Sequence, residues 1–275
     1  MIPGHAISLV IDIDINPVLF HAGPLAIHWY GLMYVVGIMV GIRVAFPYLE
    51  HFGINQEQSY RIFWPALVAC LVGGRLYYVV QSNLGWFLQH PTRILATWEG
   101  GMAFYGAVFL GVPTVWFLCR RYGLSFLRVL DGAALFIPAA QTFGRIGNVI
   151  NGDIVGYPSS LPWATRYINP SNTFVGSHVL AYQPAAVYEM IFSAALFAAL
   201  WLCRYRLRRE GALFVCWLTA YALGQFILFA FRANPITFLG LKQAQLTSLL
   251  LLVFVVPLGL WYVRRGSTPP THAPT

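Results

Sequence analysis

An all-α polytopic membrane fold, with roughly seven spanning helices and a small extracytoplasmic loop region, is the architecture this sequence predicts. Three observations carry that expectation. Hydrophobic residues make up 58% of the 275 positions and charged residues only 9%, where soluble domains carry about 25% charged. The apolar residues fall in continuous stretches, several of them close to the roughly 20 residues that cross a bilayer as a helix. Those stretches do not alternate and are longer than barrel strands, which argues against a β-barrel.

Taken in order, residues 1–23 alternate around Ile11-Asp12-Ile13-Asp14-Ile15, the pattern of an extended or interfacial segment lying on the membrane. Met1 to His5 bring no basic region before the first apolar run, so no cleavable signal peptide is read there. The first span is expected over 24–46, followed by a polar loop from Pro47 to Arg61, and the second over 62–81 with Arg75 inside it. Residues 82–99 bring Trp86, Pro91, Arg93, Trp98 and Glu99, an interfacial segment with aromatic anchors. The third span is placed at 101–119 and the fourth at 129–144, with Asp131 near its start and Pro138 as a kink point. The stretch 157–183 is polar and rich in Pro, Ser and Asn, hence an extramembrane loop. Spans five, six and seven follow at 184–203, 212–231 and 244–263, and 264–275 form a polar tail. No internal repeat is evident, so the chain reads as one integral-membrane domain over 1–275, with its core at 24–263.

The net charge of +8 does not argue for nucleic acid, because nearly all of it is Arg in short connections. With the N-terminus outside, the inner connections hold Arg43, Arg61, Arg120, Arg121, Arg128, Arg204, Arg206, Arg208, Arg209, Arg264 and Arg265. The outer ones hold Arg93, Arg145, Arg166, Arg232 and Lys242, so the positive-inside bias sets the N-terminus out and the C-terminus cytoplasmic. Cys70, Cys119, Cys203 and Cys216 sit in or at the ends of apolar runs without a Cys-x-x-Cys pair, and read as small core residues. No ligand cluster for a metal and no phosphate-loop pattern appears, so no cofactor is expected.

One stretch breaks the apolar pattern with charge and glycine: Thr142-Phe143-Gly144-Arg145-Ile146-Gly147-Asn148-Val149-Ile150-Asn151-Gly152-Asp153-Ile154-Val155-Gly156. Charge at such a place is expensive unless it lines a polar cavity. Arg145 offers a planar fork of donors suited to phosphate. Its two readings are a helix end with a snorkelling Arg and a site for an anionic, lipid-borne headgroup. The second reading places the ligand at the outer leaflet.

Gly144, Arg145, Gly147, Asn148, Asn151, Gly152, Asp153 and Gly156 resemble the signature of the prolipoprotein diacylglyceryl transferases of bacterial inner membranes, with Asp153 where that family usually has Glu. Other elements extend the resemblance over about residues 24 to 263. Trp29-Tyr30-Gly31 is similar to the family's Trp-Tyr-Gly, and Gly73-Gly74-Arg75 opens an element in which Tyr77 replaces a Gly. Trp98-Glu99-Gly100-Gly101-Met102-Ala103-Phe104-Tyr105 resembles an element in which Tyr105 takes the place of a His. A neutral imidazole accepts a proton near pH 7 and a phenol does not. In Gln183 to Glu189, Tyr188 and Glu189 match the family and Gln183 stands for a His. In the sixth span Tyr221 and Arg232 match, while Gln225 and Phe229 replace an Arg and a Glu together, as removal of an internal ion pair would do.

The resemblance implies transfer of a diacylglyceryl group from phosphatidylglycerol to the thiol of a lipobox cysteine in the signal peptide of a secreted precursor. It implies Arg145 as the phosphate ligand, Arg232 as a second cation, Asn148 and Asn151 as hydrogen-bond partners, and Tyr30 and Tyr221 as headgroup-orienting phenols. Tyr105 stands in for the base, and Arg75, Asp153, Gly156, Tyr188, Glu189 and Gln225 complete the substrate-binding set. Arg75, inside a span, is expected to pair with a carboxylate or phosphate, Glu189 and Asp131 being the embedded acids. The replaced His, Arg and Glu leave a rival class open, a relative that binds phospholipid or lipoprotein without transfer. A retinal protein is disfavoured because its Schiff base needs a lysine in the bundle, and the single lysine, Lys242, falls in a loop by this reading.

Overall fold

A computed structural model describes residues 10–23, 25–97 and 100–265. Trp98, Glu99, Met1 to His5 and the tail beyond Arg265 lie outside the described residues. The chain is mostly helical, and its contacts divide it into two compact units, Met1–Ala45 with Asp131–Thr275, and Phe46–Leu130.

The helices are α1 (Trp29–His51), α2 (Gln56–Gln89), α3 (Phe104–Tyr122), α4 (Phe126–Asn151), α5 (Ala185–Cys203), α6 (Ala212–Phe231), α7 (Gln243–Leu250) and α8 (Val256–Arg265). A single π-helical turn, Leu251–Val255, joins α7 to α8 into one continuous rod. Among the described residues five helices are long and apolar enough to cross a membrane: α1, α2, α5, α6 and the α7–α8 rod. Short strands complete the chain: β1 (Ile11–Ile13), β2 (Val18–Ala22), β3 (Leu25–His28), β4 (Thr165–Tyr167), β5 (Ile236–Phe238) and β6 (Leu241–Lys242).

Several boundaries differ from the sequence expectation, and the loop expected from Pro47 to Arg61 shrinks to residues 52–55 between α1 and α2. Residues 25–28 belong to a hairpin, β3 antiparallel to β2, so α1 begins at Trp29 rather than at 24. Helix α2 runs 34 residues and takes in the first part, 82–89, of the segment expected to lie at the interface, bending at Asn83 (φ −162°, ψ 80°). Most consequential, α4 does not stop before the signature but continues to Asn151. Gly144 and Gly147 are therefore helical, and Gly147 serves close packing rather than a flexible turn.

In the first unit, a Cβ on Gly147 would lie 3.0 Å from the Tyr30 backbone, and one on Gly37 would lie 2.7 Å from the Ala140 carbonyl oxygen. Small residues thus let α1 and α4 meet backbone to backbone, the usual device where water supplies no force between apolar helices. Helix α6 starts on a carboxylate: Asp131 accepts from Gly211 N at 2.9 Å and Phe214 N at 3.0 Å. An acid at a helix N-terminus meets both the orphan N–H groups and the positive end of the dipole. The extended N-terminal segment pairs in parallel with the loop 157–183, β1 along β4, and Asp12 accepts from Arg166 Nε and Nη2 at 2.8 and 2.7 Å. Ile13, Tyr167, Phe174 and Tyr182 form a small buried core beneath that pairing.

In the second unit, α2 and α3 touch through Gly73 and Gly106, each set against the other's carbonyl. Among the described residues Arg75, only 7% exposed, pairs with carbonyls and not with the expected acids. Its guanidinium donates to the carbonyls of Ile94 (2.8 Å), Arg93 (2.6 Å), Gly100 (2.6 Å) and Gly101 (3.0 Å). Four carbonyl dipoles satisfy the buried cation in place of the expected Glu189 or Asp131, and they tie the segment between α2 and α3 to the helix.

Candidate functional site

The C-terminal half of α4 lays out the site. Gln141, Arg145 and Asn148 recur at intervals of four and three residues, which sets them along one helical face. Arg145 Nη1 donates to Asn148 Oδ1 at 3.0 Å, and Asn148 Nδ2 donates to both carboxylate oxygens of Asp153 at 3.1 Å. Asp153 can face back to Asn148 because Gly152, at φ +76°, ends the helix in the left-handed region. A side chain at Gly152 would also press on Tyr167 and Phe174, both within 3.1 Å of its Cβ position.

The next segment carries the chain to Arg232. Gly156 N donates to the Gln183 carbonyl at 2.9 Å, Tyr157 N to the Phe231 carbonyl at 3.3 Å, and Ala233 N to the Val155 carbonyl at 3.2 Å. Gly156 is wedged between these neighbours: a Cβ there would lie 2.5 Å from the Phe231 carbonyl oxygen and 2.7 Å from Gln183 Cβ. The clamp brings the end of α6 beside the signature.

Charge converges on Glu189, which is 0% exposed in the first turns of α5. Its Oε2 lies 2.5 Å from Arg145 Nη2 and its Oε1 lies 3.0 Å from Arg232 Nη1. Two guanidinium groups thus share one carboxylate directly, and Asp153 joins them through Asn148. The remaining donors are not used up. Arg145 Nε, Arg232 Nε and Gln225 Nε2 are buried without a hydrogen-bond partner, as is the acceptor Gln141 Oε1. A buried donor left unmade costs about 1–3 kcal/mol. The three unpaired donors are therefore suited to an anion that supplies oxygens.

The phenols flank these charges. Tyr221 accepts from Gln141 Nε2 at 3.3 Å, stacks on Trp217 at 5.4 Å, and lies within electrostatic reach of Arg145, Glu189 and Arg232. Tyr30 pairs with the Tyr34 hydroxyl at 2.9 Å, lies against Gly147, and is in the field of Arg145 and Asp153. Tyr167 also faces Asp153; burial first, and that carboxylate second, push its phenol well above the usual tyrosine value.

Tyr30, Arg145, Asn148, Asp153, Gly156, Glu189, Tyr221 and Arg232 all belong to the first unit, where the contacts above gather them, and Gln225 belongs to the same unit, four residues beyond Tyr221 on α6. Asn151 contributes its backbone, its carbonyl accepting from Thr173 N and Oγ1 at 2.9 Å. Tyr188 turns to the loop 157–183, its hydroxyl accepting from Trp163 Nε1 at 2.8 Å. Arg75 and Tyr105 belong to the second unit. Tyr105 sits half-buried in the first turn of α3, its ring against Phe104 at 5.8 Å. Phe229 carries the Arg232 guanidinium over its ring at 4.4 Å.

Two participants escape the sequence reading. Gln141 is one, although a lone amide four residues before Arg145 on an apolar helix is a usable signal. Lys242 is the other: it is not in an open loop but in β6, 4% exposed. All four cysteines are free. Among the described residues, no three His, Cys, Asp or Glu side chains are grouped to hold a metal ion.

The family model described as prolipoprotein diacylglyceryl transferase matches residues 17–262. The chain is 32% identical over 262 residues to the phosphatidylglycerol–prolipoprotein diacylglyceryl transferase of Legionella pneumophila strain Paris, covering 92% of this chain and 98% of that one. It is 33% identical to the enzyme so named from Cupriavidus metallidurans, over 94% of this chain and 97% of the relative. Against the Pseudomonas aeruginosa UCBPP-PA14 enzyme of that name it is 32% identical, over 94% and 98% of the two chains.

Proposed function

The chain belongs to the prolipoprotein diacylglyceryl transferase family, and from that premise we propose how its residues carry the reaction. It is a membrane transferase of lipoprotein biosynthesis. The lipid donor is phosphatidylglycerol, and the acceptor is the lipobox cysteine thiol of a prolipoprotein signal peptide. The thiolate forms a C–S bond at the glyceryl carbon, the C–O bond to phosphate breaks, and glycerol phosphate departs. The thiol proton is balanced on that leaving phosphate.

Nucleophile and leaving group both come from the substrates, so the protein's task is to hold the phosphate, offset its growing charge and assist thiol ionisation. Arg145 and Arg232 are the phosphate ligands. Asn148 orients Arg145 and is itself oriented by Asp153. Tyr221, held by Gln141, and Tyr30 orient the headgroup, with Gln225 as a further donor. Tyr105 stands where a base serves the thiol, and Arg75 shapes the second unit through its carbonyl contacts. The observation that carries this reading is the pair of buried Nε donors on Arg145 and Arg232, both without an acceptor, beside one shared carboxylate.

Helices α3 and α4 cross the bacterial inner membrane with the five others, giving seven spans, the N-terminus outside and the signature at the outer leaflet. The bias of arginines supports that orientation. The purified chain in nanodiscs containing phosphatidylglycerol, given a lipobox peptide, should add one diacylglyceryl mass to the cysteine. Arg145→Gln and Arg232→Gln should each suppress the addition while the helical signal is kept. The replacement of two charged positions by Gln225 and Phe229 favours a second reading, lipid binding without transfer. Saturable phosphatidylglycerol binding with no mass gain at any pH would establish it.

A further inference from the structure

The single lysine of the chain is buried behind the site rather than displayed on a loop. Its Nζ donates to the Phe229 carbonyl at 2.6 Å and to the Arg232 carbonyl, and it lies 4.8 Å from the centre of the Tyr157 ring. Its backbone is fixed as well: Lys242 N donates to Gln245 Oε1 at 3.0 Å, and Gln245 Nε2 donates to the Phe226 carbonyl at 3.1 Å. Arg232 leaves α6 in an extended conformation, φ −83° and ψ 142°, so the last carbonyls of that helix lack the donors a further turn would bring. The ammonium supplies them and complements the negative end of the helix dipole. Tyr157, beneath the ammonium, is also hydrogen-bonded through its own N–H to Phe231.

We propose that Lys242 is a positioning residue for Arg232: it fixes the main chain from which that guanidinium reaches Glu189. This rests on the reading of Arg232 as a phosphate ligand. One ammonium joins the end of α6, the segment at Tyr157 and the start of α7, and the arginine stands at their meeting point. Arg232 is thereby held at both ends, its backbone by Lys242 and its side chain by the shared carboxylate. Removing the lysine frees the backbone end, and a displacement of about 1 Å at a positioning contact can cost on the order of 10²-fold in rate.

The test is a double-mutant cycle on Lys242→Met and Arg232→Gln, read both as phosphatidylglycerol affinity in phosphatidylcholine nanodiscs and as transfer to a lipobox peptide. Lys242→Met alone should lower both by about 10–100-fold. In the Arg232→Gln background the same substitution should change them less than about threefold, because residues acting as one unit are not additive. A merely structural lysine would lower both to the same extent in either background, and that result overturns the proposal. Should Lys242→Met not fold, Tyr157→Leu keeps the lysine and removes only the ring under it. Its loss, about 2–5-fold for a cation–π contact, should likewise vanish when Arg232 is Gln. An activity-independent readout is amine acylation, localised by mass spectrometry: Lys242 should react far more slowly in the folded protein than in the denatured chain. Equal reactivity overturns the burial and the proposal with it. A wild type that binds lipid but transfers nothing refutes the reaction and leaves the affinity cycle to decide this role. A wild type that does neither refutes both.

Discussion

Glu189 holds Arg145 on one carboxylate oxygen and Arg232 on the other, at 2.5 and 3.0 Å. The acid comes from α5, the first arginine from α4 and the second from the end of α6, so one buried carboxylate fixes three helices against each other. It also keeps two like charges together, an arrangement that an arriving phosphate strengthens rather than opposes.

Removing that acid should therefore be costly. Glu189→Gln leaves two largely buried guanidinium groups, their side chains 17% and 14% exposed, without their counter-charge, and breaking a buried ion pair on one side costs about 3–5 kcal/mol. Thermal unfolding in detergent should show the loss. Phosphatidylglycerol, as a replacement anion, should stabilise the variant more than the wild type. A change within about 0.5 kcal/mol, the range of an ordinary surface substitution, would mean that Glu189 does not balance both arginines.

Arg145→Lys separates charge from geometry. The guanidinium reaches Asn148 with one nitrogen and Glu189 with the other, and an ammonium cannot hold both at those positions. Phosphatidylglycerol binding should weaken by about 1–3 kcal/mol, the scale of a charge-assisted hydrogen bond. Titration of the lipid into nanodisc-held protein measures it. Unchanged binding would reduce Arg145 to a snorkelling anchor.

How much of this was legible in the chain depends on the range of the contacts. Helix α6 occupies the expected span, 212–231, because a continuous apolar run bounded by Gly211 and Arg232 needs no distant partner to define it. The start of α1 was misplaced because residues 25–28 are apolar enough to extend a helix but are taken by pairing with β2. In the signature the residue types point to an anion site, while the expected end of the fourth span at 144 leaves Gly147 and Asn148 outside the helix. Their helical state follows from α1 packing on α4, which no local pattern encodes. Arg75 announces only that it needs a partner; that the partners are the carbonyls of 93, 94, 100 and 101 is a long-range outcome. Lys242, expected in a loop, is likewise buried by contacts with the carbonyls of 229 and 232 that no local pattern announces.

The N-terminal segment should respond to acid. Arg166, hydrogen-bonded to Asp12, holds its carboxyl below the usual 3.8. A depressed folded value contributes stability above the unfolded value and loses it as pH falls through the folded one. The pairing of β1 with β4 should hold at neutral pH and loosen below about pH 4. Hydrogen exchange at Ile11 and Ile168, whose N–H groups bridge the segments to the Ala164 and Ile13 carbonyls, should accelerate there beyond the intrinsic rate. Asp12→Asn should show the faster exchange already at neutral pH. Identical protection in the variant would show that the backbone bonds suffice alone.

Orientation is tested by two single cysteines introduced into a cysteine-free background. Ser171→Cys, in the extramembrane loop, should react with an impermeant thiol reagent on intact cells. Arg206→Cys, after α5, should react only after permeabilisation, as the concentration of arginines on that side requires. Labelling of both from one side would refute the seven-span arrangement.

The last prediction concerns Tyr105, Gln225 and Phe229, where the chain departs from the family pattern it otherwise follows. Gln225 carries a buried amide nitrogen without a partner, four residues beyond Tyr221 on α6, and Phe229 offers Arg232 a ring face instead of a carboxylate. Transfer then proceeds with fewer charges on the leaving phosphate and a phenol where an imidazole would assist the thiol. A missing general base costs about 10²–10⁴ in rate and a missing electrostatic donor about 10²–10³, and the two need not multiply within one site. The wild type should therefore be slow at neutral pH and accelerate steeply as the substrate thiol ionises, near its usual value of about 8.5. Tyr105→His should raise the neutral-pH rate and flatten that profile. Gln225→Arg alone should fail, since Phe229 leaves the added cation without an acid and an unpaired buried charge is expensive. Gln225→Arg with Phe229→Glu restores the pair and should increase kcat. A wild type that matches a full-motif relative at neutral pH would show that these three positions do not limit the reaction.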